Sequence, residues 1–353
     1  MSITKIQIEE LSALKRTIPV LDVRSPIEYL HAHIPGALSF PLFTNDERKI
    51  IGTAYRHEGR EKAVKIGLES FGRNMVKMVD AAEKIVRDKN TQGREVIVHC
   101  WRGGMRSGAV AWLLDLYGFK VHLLSGGYKS YRGWALKQFA KEYRLGVIGG
   151  YTGSNKTGII HELKKAGDHV IDLEALAGHM GSAFGNLERI EQPSQEHFEN
   201  LLATQLFEFY EKNPAKTIWL ENESQRIGNI NMPQPFFDYF SAQASYFINV
   251  PFEQRLKHIV ALYGKSSKES LINAIVRITK KLGGLEAKTA VNFLMDDDIS
   301  ACFELLLKYY DKLYHKNELK RKLDNTSVVH IDCDTTDAQT NLQKISDHAN
   351  RGG

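Results

Sequence analysis

Two short segments of this chain combine residue types that can do chemistry. The first is His99-Cys-Trp-Arg-Gly-Gly-Met-Arg-Ser107. The run Glu-Val-Ile-Val-His at 95–99 reads as a strand and delivers Cys100 to a glycine-rich loop. An apolar helix is expected from Ser107 to Tyr117, stopped by Gly118. Backbone N–H groups of such a loop, with the helix N-terminus behind it, converge on the cysteine sulfur, lower its pKa and make a nucleophilic thiolate. Arg102 and Arg106 add positive charge that can hold an incoming anion. Cys100, Arg102 and Arg106 are therefore the candidate catalytic residues. A cysteine that only packs a core gains nothing from Arg-Gly-Gly beside it.

The second segment is Val147-Ile-Gly-Gly-Tyr-Thr-Gly-Ser-Asn-Lys-Thr157, between an expected strand (Leu145 to Ile148) and an expected helix. That context is the one a Walker A phosphate loop requires. Gly150 opens the pattern, and Gly153, Ser154, Asn155, Lys156 and Thr157 complete it. Amides of residues 153–157 would wrap a phosphate, Lys156 would neutralise it, and Thr157 could hold a metal ion. Asn155 stands where the pattern has glycine. Asparagine is the non-glycine residue best suited to positive φ, so the loop can keep its shape, although its side chain adds bulk beside the phosphate. Phosphate binding is expected, and ATP hydrolysis is not implied.

Further along, Asp172 and Glu174 lie at the carboxyl end of a strand at 169–173. Glu221, Glu223 and Arg226 follow another at 217–220. Acidic groups at the carboxyl ends of parallel strands sit where ligands bind in α/β sheets. They would hold a metal–phosphate, with Mg²⁺ the candidate ion, or orient Arg226, or merely cap helices. The five form a candidate second site.

Positioning these groups needs two sheets. Strands at 19–23, 95–99 and 120–124 alternate with helices, the first opened by Ser25-Pro26. Strands at 145–148, 169–173, 217–220, 245–250 and 327–332 repeat the pattern, with helices at 194–211 and 299–316. The fold class is α/β with parallel sheets. The expected domains are 1–128, a helical connector at 129–144, and 145–353. The chain has 353 residues, three widely spaced cysteines and a net charge of +5. The cysteines give no disulfide framework or metal spacing and fit a reducing cytoplasm. No apolar run approaches a membrane span, and the N-terminus lacks an export signal. The mild positive charge is compatible with a nucleic-acid partner.

The surroundings of Cys100 resemble a known superfamily. Asp22-Val-Arg24-Ser-Pro-Ile-Glu28, His33-Ile-Pro-Gly-Ala37 and the turn Leu124-Ser-Gly-Gly-Tyr128 are similar to rhodanese-like domains, whose loop cysteine carries a transferable sulfur or selenium. Asp22 and Arg24 read as anchors of the turn after the first strand. Cys100 and Arg106, with Ser107 next, equally match the Cys-x5-Arg cradle of Cys-dependent phosphatases. A sulfurtransferase or phosphatase regulated by a nucleotide-binding domain is thus the alternative. The pairing with a P-loop NTPase-like domain, together with the segments at 171–185, 192–200 and 218–228, resembles the bacterial tRNA 2-selenouridine synthases. That resemblance implies a tRNA-modifying transferase. It would geranylate wobble 2-thiouridine with geranyl diphosphate and then exchange the geranylthio group for selenium from selenophosphate, with no tightly bound cofactor. Partners implied are tRNA and an enzyme supplying selenophosphate. Lys129 to Arg144 and His315 to Lys322 are candidate tRNA-binding stripes, and Phe236, Phe237, Tyr239 and Phe240 are candidate lining for a geranyl groove, though an ordinary core explains them as well.

Overall fold

A computed structural model describes residues 3–89, 93–179, 191–323 and 327–351, with the side chains of 315–323 and 349–351 left aside. The chain divides into two compact units, Met1–Gln138 with Ser194–Thr204 and Phe139–Pro193 with Gln205–Gly353.

The first unit contains β1 (Ile3–Ile6), α1 (Ile8–Leu14), β2 (Val20–Asp22), α2 (Pro26–His31), β3 (Leu38–Ser39), α3 (Asn45–His57), α4 (Arg60–Asp88), β4 (Glu95–His99), α5 (Met105–Leu116), β5 (Lys120–Leu124) and α6 (Gly127–Gln138). Its strands form one parallel sheet of order β1-β5-β4-β2-β3. The middle strand β4 buries Val96, Ile97 and Val98 completely, as a parallel strand covered on both faces should. Asp22 of β2 is in register with His99 of β4, so the two strands end level. This sets the turn after β2 beside the loop that holds Cys100.

That turn is built on a buried ion pair. Arg24 Nε and Nη2 donate to both carboxylate oxygens of Asp22 at 2.6–3.0 Å, and Nη2 also donates to the Ala32 carbonyl at 2.7 Å. The guanidinium lies 3.9 Å from the centre of the Tyr128 ring. Asp22 and Arg24 are both almost fully buried. Ser25 and Glu28 then form a capping box that starts α2 at Pro26. The anchoring role read from the sequence holds.

Residues 129–144, expected as a connector, divide between two tasks. Helix α6 ends at Gln138 and lies in the first unit. Its first turn belongs to the cysteine loop, since the amides of Tyr128 and Lys129 donate to the carbonyls of Cys100 and Trp101 at 2.8 and 2.9 Å.

The second unit contains β6 (Leu145–Gly150), α7 (Lys156–Lys165), β7 (His169–Ile171), α8 (Leu173–Ala177), α9 (Gln195–Lys212, counted with the first unit as far as Thr204), β8 (Ile218–Glu221), β9 (Arg226–Ile227), β10 (Ile230–Asn231), α10 (Gln234–Ser241), β11 (Ser245–Asn249), α11 (Phe252–Tyr263), α12 (Lys268–Leu282), α13 (Gly284–Met295), α14 (Ile299–Leu323), β12 (Val328–Asp332) and α15 (Ala338–Arg351). A second parallel sheet has the order β12-β11-β6-β8-β7, and β9 and β10 make a short antiparallel hairpin. Strand β6, which leads into the phosphate loop, is central. Helices α11 to α14 gather around a separate apolar cluster that includes Leu271, Ile275, Leu294 and Phe303.

Phe236 and Phe240 are buried core residues, and Tyr239 donates its hydroxyl to the Tyr143 carbonyl at 2.7 Å. Phe236, Tyr239 and Phe240 are therefore engaged in packing, as an ordinary core requires, and Phe237 is half-buried with its ring beside Phe240. No helix among the described residues is long and apolar enough to cross a membrane.

The buried Asp22–Arg24 pair yields a stability prediction. Removing one partner of such a pair strands the other charge away from water, at about 3–5 kcal/mol. Arg24→Met is therefore expected to lower the urea midpoint of the first unit by that equivalent. The double change Arg24→Met with Asp22→Leu should cost less than Arg24→Met alone. Equal losses would show that the stranded carboxylate is not the cause.

Candidate active site

Cys100 sits at the carboxyl end of the central strand β4, almost fully buried. Its Sγ lies 3.1 Å from the Ser107 hydroxyl. Burial raises the thiol pKa. The Ser107 hydroxyl and the amides of Ser107, Arg102 and Gly104 more than offset this and hold it below the usual thiol range. The amide nest foreseen from the loop sequence is thus formed. Among the described residues no such donors reach Cys302 or Cys333, and burial pushes them up, Cys302 to about 12.

The loop keeps its shape through backbone-on-backbone packing. Gly127 has φ +58°, and a Cβ there would lie 2.2 Å from the Cys100 carbonyl oxygen. Gly103 has φ +67° and faces the Leu124 carbonyl in the same way, at 2.8 Å. Side chains at either position would force the loop off the β5–α6 turn.

The two arginines differ. Arg102 contributes its amide to the sulfur while its side chain is exposed. Arg106 is tied to Glu28 through Nη1 at 2.7 Å and Nη2 at 3.3 Å. Burial tends to raise the Glu28 carboxyl, and Arg106 with Ser25 outweighs it, holding Glu28 down to about 2. In the Cys-x5-Arg phosphate cradle the arginine must face the anion. Here its fork is committed to a carboxylate, which disfavours the phosphatase alternative.

In the second unit, Asn155 adopts the left-handed conformation expected of it, φ 59° and ψ 40°, at the start of α7. Its side-chain amide donates to the Thr336 carbonyl at 2.8 Å. The side chain that replaces the usual glycine is thus held by the segment after β12. Gly150 and Gly153 both have positive φ. Ser154 is fully buried and donates to the Tyr151 carbonyl at 2.7 Å. Lys156 Nζ donates to the Gly150 carbonyl at 3.1 Å and so closes over the loop. Burial disfavours its charge, but Tyr314, Glu221, Glu223 and Glu174 outweigh burial, and its pKa is raised. Thr157 hydrogen-bonds the Glu221 carboxylate.

Three of the five second-site residues come together. Carboxylate oxygens of Glu174, Glu221 and Glu223 lie within 4.8 Å of one another. Burial pushes all three up, Glu223 to about 7, and their mutual repulsion adds to this for Glu174 and Glu223. Glu221 Oε1 is buried without a hydrogen-bond partner among the described residues. Hard oxygen donors crowded beside a phosphate-loop threonine suit a divalent cation such as Mg²⁺. Asp172 is a helix cap instead, accepting from the Ala175 amide at 2.8 Å at the start of α8. Arg226 donates to the Gly228 carbonyl at 2.9 Å, with no carboxylate in ion-pair range among the described residues. The acidic cluster does not orient it.

Arg255 and Asp311 brace the phosphate loop, a role with no local signature along the chain. Arg255 is buried, donates to the Thr152 carbonyl at 3.1 Å, and forks onto Asp311 at 2.9 and 2.7 Å. Residues 180–185 of the segment at 171–185, and the side chains of 315–322, lie outside the description. In the other candidate stripe, Arg132 is committed to Glu199 and Asn200, while Lys129, Lys137 and Lys141 are exposed.

Two predictions follow from these environments. At neutral pH, iodoacetamide is expected to alkylate Cys100 ahead of Cys302 and Cys333, with a rate midpoint below the ordinary thiol value of roughly 8.5. Ser107→Ala should move that midpoint upward. Peptide mapping by mass spectrometry reads both effects, and equal labelling of all three cysteines would contradict the assignment. The carboxylate cluster gives a stability trend. Carboxyls raised by folding hold their protons more tightly than the unfolded chain does. Their contribution to stability is present below the ordinary carboxyl range and is lost as pH climbs through about 7 for Glu223. Melting temperature in a chelating buffer should therefore fall between pH 5 and pH 8, and Glu223→Gln should flatten that fall.

The chain matches two family descriptions, a rhodanese-like domain over residues 7–133 and a tRNA 2-selenouridine synthase AAA domain over residues 143–342. It is 34% identical to the tRNA 2-selenouridine synthase of Bdellovibrio bacteriovorus, over 89% of this chain and 93% of that one. It is 35% identical to that of Nitrosomonas europaea, over 73% and 67%, and 30% identical to that of Shewanella halifaxensis, over 92% and 95%. A cysteine loop on a rhodanese-like sheet, a phosphate loop on a second parallel sheet, and full-length similarity of this degree agree on one conclusion: the chain belongs to the tRNA 2-selenouridine synthase family.

Proposed function

We propose that the protein is a tRNA-modifying enzyme that converts wobble 2-thiouridine to 2-selenouridine in two steps, one in each unit. In the first, the thiocarbonyl sulfur attacks the allylic carbon of geranyl diphosphate. The carbon–oxygen bond breaks and diphosphate leaves with the electron pair. In the second, selenium at the selenide level, supplied as selenophosphate, adds to C2 of the base. The C2–S bond breaks, geranylthiol departs with a proton, and water removes the phosphoryl group from selenium. Alkylation is useful because a thioether-like sulfur leaves more readily than a thiocarbonyl.

The observation that carries this reading is the contrast between the two loops. The phosphate loop offers positive-φ backbone, a closing Lys156 and an acid triad suited to Mg²⁺, which fit a diphosphate leaving group whose charge grows as the bond breaks. The Cys100 loop offers a nucleophilic thiolate with amide donors, which fits the chalcogen step. Mg²⁺ held by Thr157 and Glu221 would add charge stabilisation at the diphosphate. Exposed Lys129, Lys137 and Lys141 are suitable for contacts to tRNA phosphates. The enzyme would work in the cytoplasm, near a source of selenophosphate.

The division of labour is testable by supplying each variant with 2-thiouridine tRNA and geranyl diphosphate, with and without selenophosphate, and counting nucleosides by mass spectrometry. Lys156→Ala removes a charge-assisted contact of about 1.5–3 kcal/mol and should slow geranylation about ten- to hundredfold, with selenation falling in consequence. Cys100→Ser should still geranylate and accumulate S-geranyl-2-thiouridine without forming selenouridine. Normal selenouridine output from Cys100→Ser, or full-rate geranylation by Lys156→Ala, would overturn the assignment. Serine variants of Cys302 and Cys333 should remain active.

A further inference from the structure

Trp101 lies between the reactive Cys100 and Arg102, and its ring has no part in the steps above. The ring is 37% exposed, although Cys100 beside it is almost fully buried. The backbone here is fixed. The Trp101 carbonyl accepts from the Lys129 amide at 2.9 Å, and the loop packs against the β5–α6 turn at Gly103 and Gly127. The indole meets the Tyr128 ring with centroids 5.5 Å apart and planes tilted by 40°. Tyr128 in turn meets the Arg24 guanidinium at 3.9 Å, and Glu196 and Asn200 hold its hydroxyl at 2.7 Å each. Trp101 is thus the exposed end of a chain of three groups whose inner two are buried and tethered.

An exposed indole on a rigid support, next to a reactive thiol and between cations, has the features of a base-stacking platform. Aromatic rings stack unpaired bases with little regard to sequence, and cations beside them hold the backbone. Arg102 follows Trp101 directly, and Lys129 is hydrogen-bonded to the Trp101 carbonyl. Both side chains are exposed, and neither is in an ion pair among the described residues. Gly104, whose amide reaches the Cys100 thiol, is exposed as well. A Cβ on it would meet nothing within 4 Å, so there is room beside the loop.

We infer that Trp101 is the stacking platform for the wobble base, which rotates out of the anticodon loop and lies on the indole with its C2 toward the Cys100 loop. The inference rests on the two-step reading above, in which the base meets Cys100 in the second step. An anticodon loop is single-stranded, so taking one base out of it costs little. A platform already held through Tyr128 loses little further freedom when the base arrives. Stacking reads the flat face of the base and not its C2 substituent, so substrate and product are held alike. Arg102 and Lys129 are placed to meet the phosphates on either side of the extruded nucleotide.

The test measures, by fluorescence anisotropy, binding of the full-length protein to two labelled anticodon stem-loop RNAs. One has S-methyl-2-thiouridine at the wobble position, and the other is abasic there. The methylated base presents the alkylated ring without a long chain, so the comparison isolates the ring. Stacking of one base contributes roughly five- to 150-fold in affinity, and wild type is expected to prefer the RNA with the base at least about tenfold. Trp101→Phe should keep a preference of about fivefold or more. Trp101→Ala and Trp101→Leu should each reduce it to about twofold or less, with binding of the abasic RNA unchanged. Added salt should weaken both RNAs in parallel and leave the preference in place. The rate of Cys100 alkylation serves as the folding control, and if Trp101→Ala fails it, Trp101→Leu decides. No preference in wild type, a preference kept by a correctly folded Ala or Leu variant, or one that salt abolishes overturns the platform. Nucleoside analysis of wild-type product from 2-thiouridine tRNA, geranyl diphosphate and selenophosphate separates the two readings. Selenouridine formed without a Trp101-dependent preference sinks only the platform. A Trp101-dependent preference with no selenouridine formed sinks the two-step reading and leaves Trp101 as a site for an unpaired RNA base.

Discussion

Arg24 is a full positive charge held out of water, and much of the first unit is arranged around satisfying it. Its Nε and Nη2 take both oxygens of Asp22, Nη2 also donates to the Ala32 carbonyl, and its face lies against Tyr128. Through these contacts one side chain ties the end of β2 to the segment after α2 and to the first turn of α6. Tyr128 extends the network. Its amide holds the Cys100 carbonyl, and its hydroxyl donates to Glu196 at 2.7 Å and accepts from Asn200 at the same distance. The start of α9 therefore belongs with the first unit because its polar groups complete a network begun by a buried guanidinium. An unpaired charge in that position would be prohibitive, so the network is held together by necessity.

The two reactive loops use one backbone device with opposite electrostatics. Each follows the central strand of a parallel sheet and precedes a helix, so amides converge on one point. Around Cys100 the local groups favour loss of a proton: hydroxyl and amide donors outweigh the cost of burial. Around Lys156 three carboxylates crowd a single cation, and burial drives them to keep protons. A thiolate nucleophile and a cation-dependent anion site are different solutions built on the same geometry. Placing them in separate units lets each keep its own charge balance.

The phosphate loop also shows how a departure from a motif is accommodated. Asparagine at position 155 tolerates left-handed backbone, but its side chain needs a destination. The Thr336 carbonyl supplies one. Arg255, forked onto Asp311, supports the loop at Thr152. Both supports come from chain segments far along the sequence, so the loop's shape is a property of the whole second unit.

The sequence by itself determined the elements whose signal is local. The apolar runs expected as strands at 95–99, 120–124 and 245–250 became parallel strands, Ser25-Pro26 opened a helix, and Asn155 took positive φ, because periodicity, capping and backbone sterics act over a few residues. The edge strand Ile3–Ile6 was not legible, since Thr4 and Lys5 are exposed and its pairing depends on β5. The connector at 129–144 looked uniform in composition, yet it begins within α6, whose first turn is built into the cysteine loop. Among five acidic and basic candidates of equal standing in the sequence, the fold brought Glu174, Glu221 and Glu223 together, made Asp172 a cap and turned Arg226 to a backbone carbonyl. Likewise Arg106 was read as an anion holder, and only the fold revealed its partner Glu28, 78 positions away. Charge partnership and cavity shape are set by which segments meet in space, and no window along the chain contains that information.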